Sequence, residues 1–281
     1  MNKVDLHLHS NYSDGSDSIQ ELLNTILNAG IKIFALTDHD TVEGCLEMQN
    51  IVPKDITFIP SVELTCKADT VKCHILGYNC DYTNKTLLDL IQKGKILRKN
   101  KLETRIKYLK DIWNIELTDS EKDWLYSRKS VVKTHIANIL VNRGLASNNL
   151  EAMAKYLDGC KSGDTRFSGE EAIKAITESG GIPVWAHPLG GEGEKHLSEE
   201  EFFEKFKIMK NFGIKGLECF YSRYSLKEIE FLTNFAKNNN LLISAGSDYH
   251  GLNKDVTIAK LNTENKNINI EDITLLKSLQ I

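Results

Sequence analysis

Short apolar segments alternate with amphipathic segments of helical length along most of this chain. The apolar segments predict strands at residues 3–9, 32–37, 56–63, 71–78, 182–186, 214–220 and 241–246. Helix starts carry the capping-box pattern, a serine followed three residues later by a glutamate, at Ser18, Ser168, Ser198 and Ser225. Gly30 stands where the first of these helices ends. This order of elements predicts a β/α fold, and 281 residues suit one large α/β domain or a barrel with an insertion.

The stretch from about 84 to 166 interrupts this alternation. It is polar, basic and helical in pattern, without a convincing strand. We therefore predict a barrel formed by residues 1–83 and 167–281, with an inserted helical cap subdomain at 84–166. Residues 93–110 of the insertion carry eight basic side chains and a single acid, Glu103. This basic run has two interpretations, the solvated face of a long helix or a surface for nucleic acid.

Composition excludes several classes of protein. The formal net charge of −4 gives no sign of general nucleic-acid binding by the whole surface. No apolar stretch approaches the roughly 18 residues of a membrane span, and the first residues lack the pattern of a signal peptide. We expect a cytoplasmic protein that does not contact membranes. The six cysteines form no C-x-x-C pair, and a chain of this length needs no disulfide to hold its core. Nothing in the sequence indicates an oligomeric state.

Histidines and carboxylates recur next to the predicted strands. His7 and His9, in the segment DLHLH, share one face of their strand because side chains alternate along it. The same residue types come at the ends of other predicted strands, as Asp38 and His39, Glu63, His74, His187, and Asp248 and His250. In β/α barrels the carboxyl ends of the strands converge on one mouth, where the chemistry takes place. We therefore expect these side chains to form one cluster.

The expected cluster has the donor atoms of a metal site. Every candidate ligand offers nitrogen or oxygen and no cysteine accompanies them, which suits zinc, manganese or iron(II). The donors exceed the needs of one ion, so we predict two or three divalent metal ions. Adjacent ions roughly 3.5–4 Å apart can share a bridging hydroxide, lower its pKa and hold both oxygens of a phosphoryl transfer. The substrate is therefore expected to be anionic.

Six motifs resemble, in order, those of the polymerase and histidinol phosphatase (PHP) superfamily. They are DLHLHSNYSDGS, TDHDT, VELT, CHILGY, AHP and SDYHG. The resemblance implies a distorted (β/α)7 barrel, a TIM-like fold, with a trinuclear metal site. It implies one ion held by His7, His9, Glu63 and Asp248, a second held by Glu63, His74 and His187, and a third held by Asp14, His39 and His250.

Within the superfamily, the likeness is greatest to bacterial nucleoside 3′,5′-bisphosphate phosphatases and 5′-to-3′ exoribonucleases. Those proteins also carry a helical insertion, and their usual arginine-x-histidine reads Lys133-Thr134-His135 here. The resemblance implies that Lys133 and His135 contact a substrate phosphate, although lysine offers a point charge where arginine offers a fork. The loop LGGEGEKHL also replaces the arginine-containing loop that the resemblance implies after AHP.

The resemblance implies a hydrolase that cleaves phosphate esters by attack of a hydroxide bridging two metal ions. His250 or a metal-bound water is expected to protonate the leaving oxygen, while Lys133 and His135 orient the phosphate. Expected substrates are phosphorylated nucleotides or the 5′ ends of RNA or DNA. Two alternatives stay open. One is a small-metabolite phosphatase for histidinol phosphate or a cyclic ribose phosphate, and the other is a non-catalytic metal-binding module.

Overall fold

The strands form a nearly closed barrel. A computed structural model describes residues 3–68, 71–128, 130–161 and 166–281. Within these residues the strands are β1 (Val4–Leu8), β2 (Ile33–Leu36), β3 (Thr57–Ala68), β4 (Val71–Tyr78), β5 (Phe167–Ser168), β6 (Ile182–Trp185), β7 (Gly216–Tyr221) and β8 (Leu242–Gly246). Every predicted strand is present. The strand β5, which pairs with β3, was not predicted because two residues carry no periodic pattern.

The barrel closes between its first and last strands. The strand order is β1-β2-β3-β4-β6-β7-β8, and β1 meets the end of β8. His9 N donates to Tyr249 O at 3.0 Å, and Asp248 N donates to His7 O at 2.9 Å. These bonds place motifs from opposite ends of the sequence side by side. The predicted distorted, TIM-like α/β barrel is confirmed.

Strand β4 runs antiparallel to both of its neighbours, β3 and β6, whereas the other paired strands are parallel. The prediction that His74 lies at the carboxyl end of its strand was therefore wrong, since it lies in the first half of β4. It still reaches the barrel mouth, because an antiparallel strand brings its amino-terminal half to the carboxyl ends of the parallel strands. There His74 is paired with Thr65 of β3.

Helices cover the outside of the barrel and fill the segment between β4 and β5. In the described residues they are α1 (Ile19–Asn28), α2 (Glu43–Ile51), α3 (Lys85–Trp113), α4 (Asp119–Ser127), α5 (Lys133–Asn142), α6 (Asn149–Ala152), α7 (Gly169–Glu178), α8 (Glu199–Phe212), α9 (Leu226–Asn238) and α10 (Thr274–Ser278). A π-helical turn, Met153–Leu157, follows α6, and single 3₁₀ turns lie at Gly251–Asn253 and Ile270–Asp272.

Local sequence explains where these helices begin and which face they bury. The predicted capping boxes at Ser18, Ser168, Ser198 and Ser225 are all present. Helix α1 ends at the predicted point, where Gly30 adopts a left-handed φ of 70°. The same helix buries Ile19, Leu22, Leu23 and Ile26, whose spacing places them on one face. That face packs in a cluster with residues of β1 and β2.

The helices α3, α4 and α5 share an apolar cluster of their own. It contains Leu102, Leu109, Leu125, Ile136, Leu140 and Leu157, and it is separate from the cluster inside the barrel. The predicted division of the chain into a barrel and a cap at 84–166 stays a prediction. None of the helices in the described ranges combines the length and the apolarity needed to cross a bilayer.

Candidate metal centre

The predicted ligand residues converge at the barrel mouth. In the described part of the chain, candidate ligand atoms form three groups, each with all atoms within 4.8 Å of one another. The groups are His7, His9, Glu63 and Asp248; His9, Asp14, His39 and His250; and His39, Glu63 and His74. His187 lies beside them, with its Nε2 3.3 Å from Glu63 Oε1. Each group contains both imidazole and carboxylate donors, so each could hold a divalent ion.

Glu63 lies at the centre of this cluster, 1 % exposed. Its Oε2 lies 3.1 Å from His9 Nε2 and 3.2 Å from His39 Nδ1, while its Oε1 lies 2.9 Å from His74 Nδ1. Burial alone would raise the pKa of Glu63, but the surrounding histidines outweigh burial and lower that pKa well below its usual range. The carboxylate is therefore ionised and presents an oxygen to each half of the cluster.

The donor set fits divalent ions because several buried ligand atoms make no well-oriented hydrogen bond. Asp14 Oδ1 and His250 Nε2 lie 3.1 Å apart, and His39 Nδ1 lies 3.2 Å from Glu63 Oε2, but neither pair has hydrogen-bond geometry. His7 and His9 point their Nε2 atoms at each other across 3.1 Å. Buried polar atoms left unpaired cost free energy, and a cation that accepts nitrogen and oxygen donors removes this cost. A cavity of about 70 Å³, lined in part by His39, Glu63, His74 and His187, leaves room for ions.

A buried aspartate holds the first motif in place. Asp38 Oδ1 accepts from Ser10 N at 2.8 Å and from Ser13 Oγ at 2.6 Å, and Asp38 Oδ2 accepts from Ser10 Oγ at 2.6 Å. Asn253 also donates to Asp14 O at 2.8 Å. The hydroxyl-rich segment HSNYSDGS thus folds as an anchored loop, and this anchoring fixes Asp14 next to His250, 3.1 Å from its Nε2.

The sequence matches the PHP domain family over residues 5–164, more than half of the chain. This chain belongs to the PHP domain family. The predicted membership is confirmed.

Two curated relatives of this PHP domain protein are similar to it over most of its length. A 5′-3′ exoribonuclease of Haemophilus influenzae is 31% identical over 254 residues, covering 88% of this chain and 90% of that protein. A 3′,5′-nucleoside bisphosphate phosphatase of Chromobacterium violaceum is 27% identical over 257 residues, covering 89% and 88%. The predicted likeness to this phosphatase and exoribonuclease group of hydrolases is confirmed.

A solved structure supports the fold. It is a protein of Bifidobacterium adolescentis assigned as a metal-dependent phosphoesterase, with a TM-score of 0.82 and 22% identity over 98% of this chain and 96% of that chain.

Several polar residues of this PHP domain support the cluster and were missed by the sequence analysis. Asp248 Oδ2 accepts from Tyr221 Oη at 3.0 Å and from Lys254 Nζ at 2.8 Å. Glu218 Oε1 lies 2.9 Å from His7 Nδ1. Glu218 interrupts the apolar strand GLECFY, and a carboxylate in a buried strand is the signal that could have revealed it.

The loop that follows AHP supplies carboxylates to the mouth instead of the arginine that the resemblance implies. Glu194 Oε2 lies 3.4 Å from His187 Nδ1, and Glu192 Oε1 pairs with Arg223 at 2.5 Å. Both glutamates line the small cavity of the cluster. An arginine thus reaches this loop from the segment after β7.

The predicted cap residues lie outside the metal-ligand groups of the described residues. His135 is 3 % exposed, accepts from Val132 N at 3.1 Å and makes a T-shaped ring contact with Trp124. Burial lowers the pKa of His135 to about 4. Lys133 forms an ion pair with Asp158. His135 thus lies between the cap, through Val132 and Trp124, and the Ser13–Asp14 segment of the first motif, whereas Lys133 faces a cavity.

That cavity, of about 500 Å³, is strongly basic. It lies between α3, α5 and the β3–β4 hairpin, and Asp158 is the one acid among the described residues of its lining. The basic residues that line it are Lys72, Arg98, Lys101, Arg105, Lys133, Lys161 and Arg166. A space of this size and charge suits an anionic ligand.

Proposed function

We propose that this protein is a metal-dependent phosphoesterase that hydrolyses phosphate esters of nucleotides or of RNA 5′ ends. The observation that carries the proposal is the convergence of histidines and carboxylates around Glu63, beside a basic cavity under the cap helices. The names of the curated relatives, an exoribonuclease and a nucleoside bisphosphate phosphatase, support the nucleotide class of substrate.

Two or three divalent ions, Mn²⁺, Fe²⁺ or Zn²⁺, are part of the proposal. Their proposed ligands are the nine predicted residues, His7, His9, Asp14, His39, Glu63, His74, His187, Asp248 and His250. When bound, such ions supply positive charge that polarises a phosphoryl group and lowers the pKa of water enough for water to attack. The two oxygens of Glu63, which face different histidines, suit a carboxylate shared between ions.

His250 fits the role of ligand better than that of acid. Its Nδ1 lies 2.8 Å from Asp248 O, so the neutral ring carries its proton there and turns its Nε2 toward Asp14. A nitrogen without a proton binds a metal ion but cannot protonate a leaving oxygen. Lys254 pairs with Asp248 and lines the small cavity of the histidine cluster, so it is placed to bind an anionic substrate.

The cap residues have different proposed roles. Lys133 lines the basic cavity directly, and we assign it a substrate phosphate that replaces Asp158 as its partner. His135 would support Lys133, because it lies in the first turn of α5 and packs on Trp124. Arg98 and Arg105 add positive charge to the same cavity. A nucleotide with two phosphates, or an RNA end, can thus contact the cluster and the cavity together.

An assay with defined substrates tests the proposal. The purified protein, loaded with Mn²⁺, is given 3′-phosphoadenosine 5′-phosphate, a 5′-phosphorylated RNA oligomer and p-nitrophenyl phosphate. We expect turnover of at least one of the two nucleotide substrates. Cleavage of p-nitrophenyl phosphate alone would favour the small-metabolite phosphatase. Cleavage of none, with Mn²⁺ bound, would favour the non-catalytic module.

A further inference from the structure

Glu218 is a completely buried carboxylate in the middle of β7, 0 % exposed. Its Oε1 lies 2.9 Å from His7 Nδ1, and its Oε2 accepts from His187 N at 2.8 Å. One side chain therefore joins β1 to the segment that follows β6. Both of its partners belong to the histidine cluster.

We propose that Glu218 is a positioning residue, which determines the nitrogen that His7 turns toward the metal ions. The proposal rests on the metal-binding part of the proposed function and is independent of the substrate. Glu218 would act on the metal ions through His7, since Glu218 is in none of the candidate ligand groups of the described residues.

The two nitrogens of His7 have separate environments. Nδ1 faces Glu218, whereas Nε2 lies 3.1 Å from His9 Nε2 and 3.2 Å from Glu63 Oε2. We place the proton of this hydrogen bond on Nδ1, with Glu218 Oε1 as its acceptor, as in the carboxylate–histidine pairs that commonly support metal-bound histidines. A neutral imidazole has a single N–H, and Nε2 is then left with the lone pair that a metal ion needs.

Replacing either oxygen of Glu218 by a different atom would change the hydrogen bonds that this side chain makes. The backbone N–H of His187 is always a donor, so the atom that faces it must be an acceptor. The pair is also enclosed. A Cβ on Gly246 of β8 would lie 2.1 Å from His7 Cβ and 2.8 Å from Glu218 Oε1, so the β8 backbone packs directly against it. The close approach of β8 fills the space on this side of the pair.

Glu218→Gln tests this arrangement with almost no change of shape. The amide oxygen must face His187 N–H, which turns the amide NH₂ toward His7 Nδ1. His7 then has to accept at Nδ1, and its proton moves to Nε2, toward the cluster. We expect the affinity for Mn²⁺, measured by calorimetric titration, to fall about 10- to 100-fold relative to the wild-type protein.

A second glutamate–histidine pair provides a matched control. Glu228 Oε1 lies 2.8 Å from His196 Nε2, neither residue is in a candidate ligand group of the described residues, and Glu228 completes the capping box of α9. Glu228→Gln removes the charge of the pair but keeps an acceptor for the helix cap, so it should change the thermal unfolding temperature little and leave Mn²⁺ affinity unchanged. Comparison of the two variants separates a loss of stability from a loss of metal binding.

A measurement on the wild-type protein requires no variant. In the protein loaded with Zn²⁺, ¹⁵N NMR of the imidazoles should show the proton of His7 on Nδ1 and the metal on Nε2. The inference is overturned if Nδ1 is the metal-bound nitrogen, if Glu218→Gln binds Mn²⁺ as the wild-type protein does, or if the wild-type protein binds no Mn²⁺. Mn²⁺ binding that depends on Glu218, without cleavage of any phosphate ester, would contradict the proposed function and leave this inference standing.

Discussion

Glu63 connects the two halves of the histidine cluster through one carboxylate. Its Oε2 lies 3.1 Å from His9 Nε2 and its Oε1 lies 2.9 Å from His74 Nδ1. Glu63→Gln should lower kcat/KM for phosphate esters about 100-fold or more and reduce the bound metal, because an amide offers one oxygen and no charge. Steady-state kinetics and elemental analysis measure both. Glu47→Gln, at a surface glutamate that accepts from Tyr12, is the control. Full metal content in Glu63→Gln would contradict the expectation.

Gly246 is the residue that lets β8 approach His7. An added Cβ would lie 2.1 Å from His7 Cβ, so Gly246→Ala forces the two strands apart. We expect a loss of about 1–3 kcal/mol in the free energy of unfolding, together with weaker Mn²⁺ binding. Urea unfolding and calorimetric titration measure the two effects. Gly213→Ala, at a φ of 94° outside the cluster, should cost about 1 kcal/mol without a change in metal affinity. Equal Mn²⁺ binding by both variants would refute this account.

The sequence indicates the candidate metal ligands better than it indicates the residues that hold those ligands in place. His7 and His9 share a strand face, and His39 and His187 closely follow strands, so a local pattern is enough to suggest them. Glu63 ends its predicted strand, but the prediction of that end was wrong, since β3 continues to Ala68. Glu218 is 211 positions from His7 in the chain, and no local pattern connects them. A contact of this kind follows from the closure of the barrel.

At the scale of elements, the basic run at residues 93–110 is partly accounted for by contacts of α3 with the barrel. Lys93 pairs with Glu171 at 2.8 Å, Lys95 pairs with Glu43 at 2.5 Å, and Arg98 forms an ion pair with Asp40. Other members of the run, such as Arg105, line the basic cavity. The first half of α3 thus attaches the helix to the barrel, and Arg98 both makes this attachment and lines the basic cavity together with Lys101 and Arg105.

Arg98→Lys tests this attachment. Arg98 donates to Thr65 Oγ1 at 2.9 Å and to Val131 O at 3.4 Å besides its ion pair with Asp40, and a lysine cannot span these acceptors. We expect faster amide hydrogen exchange in α3 and α5. We also expect about a tenfold loss of kcat/KM for a 5′-phosphorylated RNA oligomer, with less effect on p-nitrophenyl phosphate.

Lys107→Gln is the control for Arg98→Lys, because Lys107 pairs with Asp111 one turn later on the same helix. It should behave as the wild-type protein does in exchange and in kinetics. Unchanged exchange in Arg98→Lys would show that apolar packing alone attaches α3.

Element positions were predicted from the sequence, but the direction of β4 was not. The segment VKCHILGY has the composition of a strand whichever way it runs, so its antiparallel pairing with β3 and β6 was not foreseen. The cause lies in the connection. The strands β3 and β4 follow each other so closely that they form a hairpin, whereas parallel strands need a crossover of a dozen or more residues. The loop length is therefore the signal that indicates the direction.

At the scale of the whole molecule, the fold of the metal-free protein divides the clustered histidines by their affinity for protons. Burial lowers the pKa of His39 to about 4, and it lowers the pKa of His9 well below its ordinary value. Burial would also lower the pKa of His187, but hydrogen bonds to Glu194 and Glu63 outweigh it and raise that pKa to about 10. Without metal ions, the carboxylates of the cluster therefore keep some of its histidines protonated.

This division predicts how stability depends on pH. An unfolded histidine titrates near 6.5. Below that pH the unfolded chain binds a proton at His39, whereas folded His39 stays neutral until about pH 4. Acid therefore destabilises the metal-free protein. Above it the fold keeps the proton on His187 that the unfolded chain releases, and this stabilisation disappears as the pH approaches about 10. The free energy of unfolding without metal should therefore be greatest near pH 6.5.

Metal ions should reverse the alkaline side of this profile. They bind the deprotonated forms of the ligands and compete with the proton on His187, so stabilisation by Mn²⁺ should grow as the pH rises from 6.5 toward 9. Urea unfolding at several pH values, with EDTA or with Mn²⁺, measures both profiles, and titration in buffers of different ionisation enthalpy counts the protons released. If Mn²⁺ stabilised the protein equally at all pH values, the protonated histidines would lie outside the metal site, and the cluster around Glu63 would have to be divided differently.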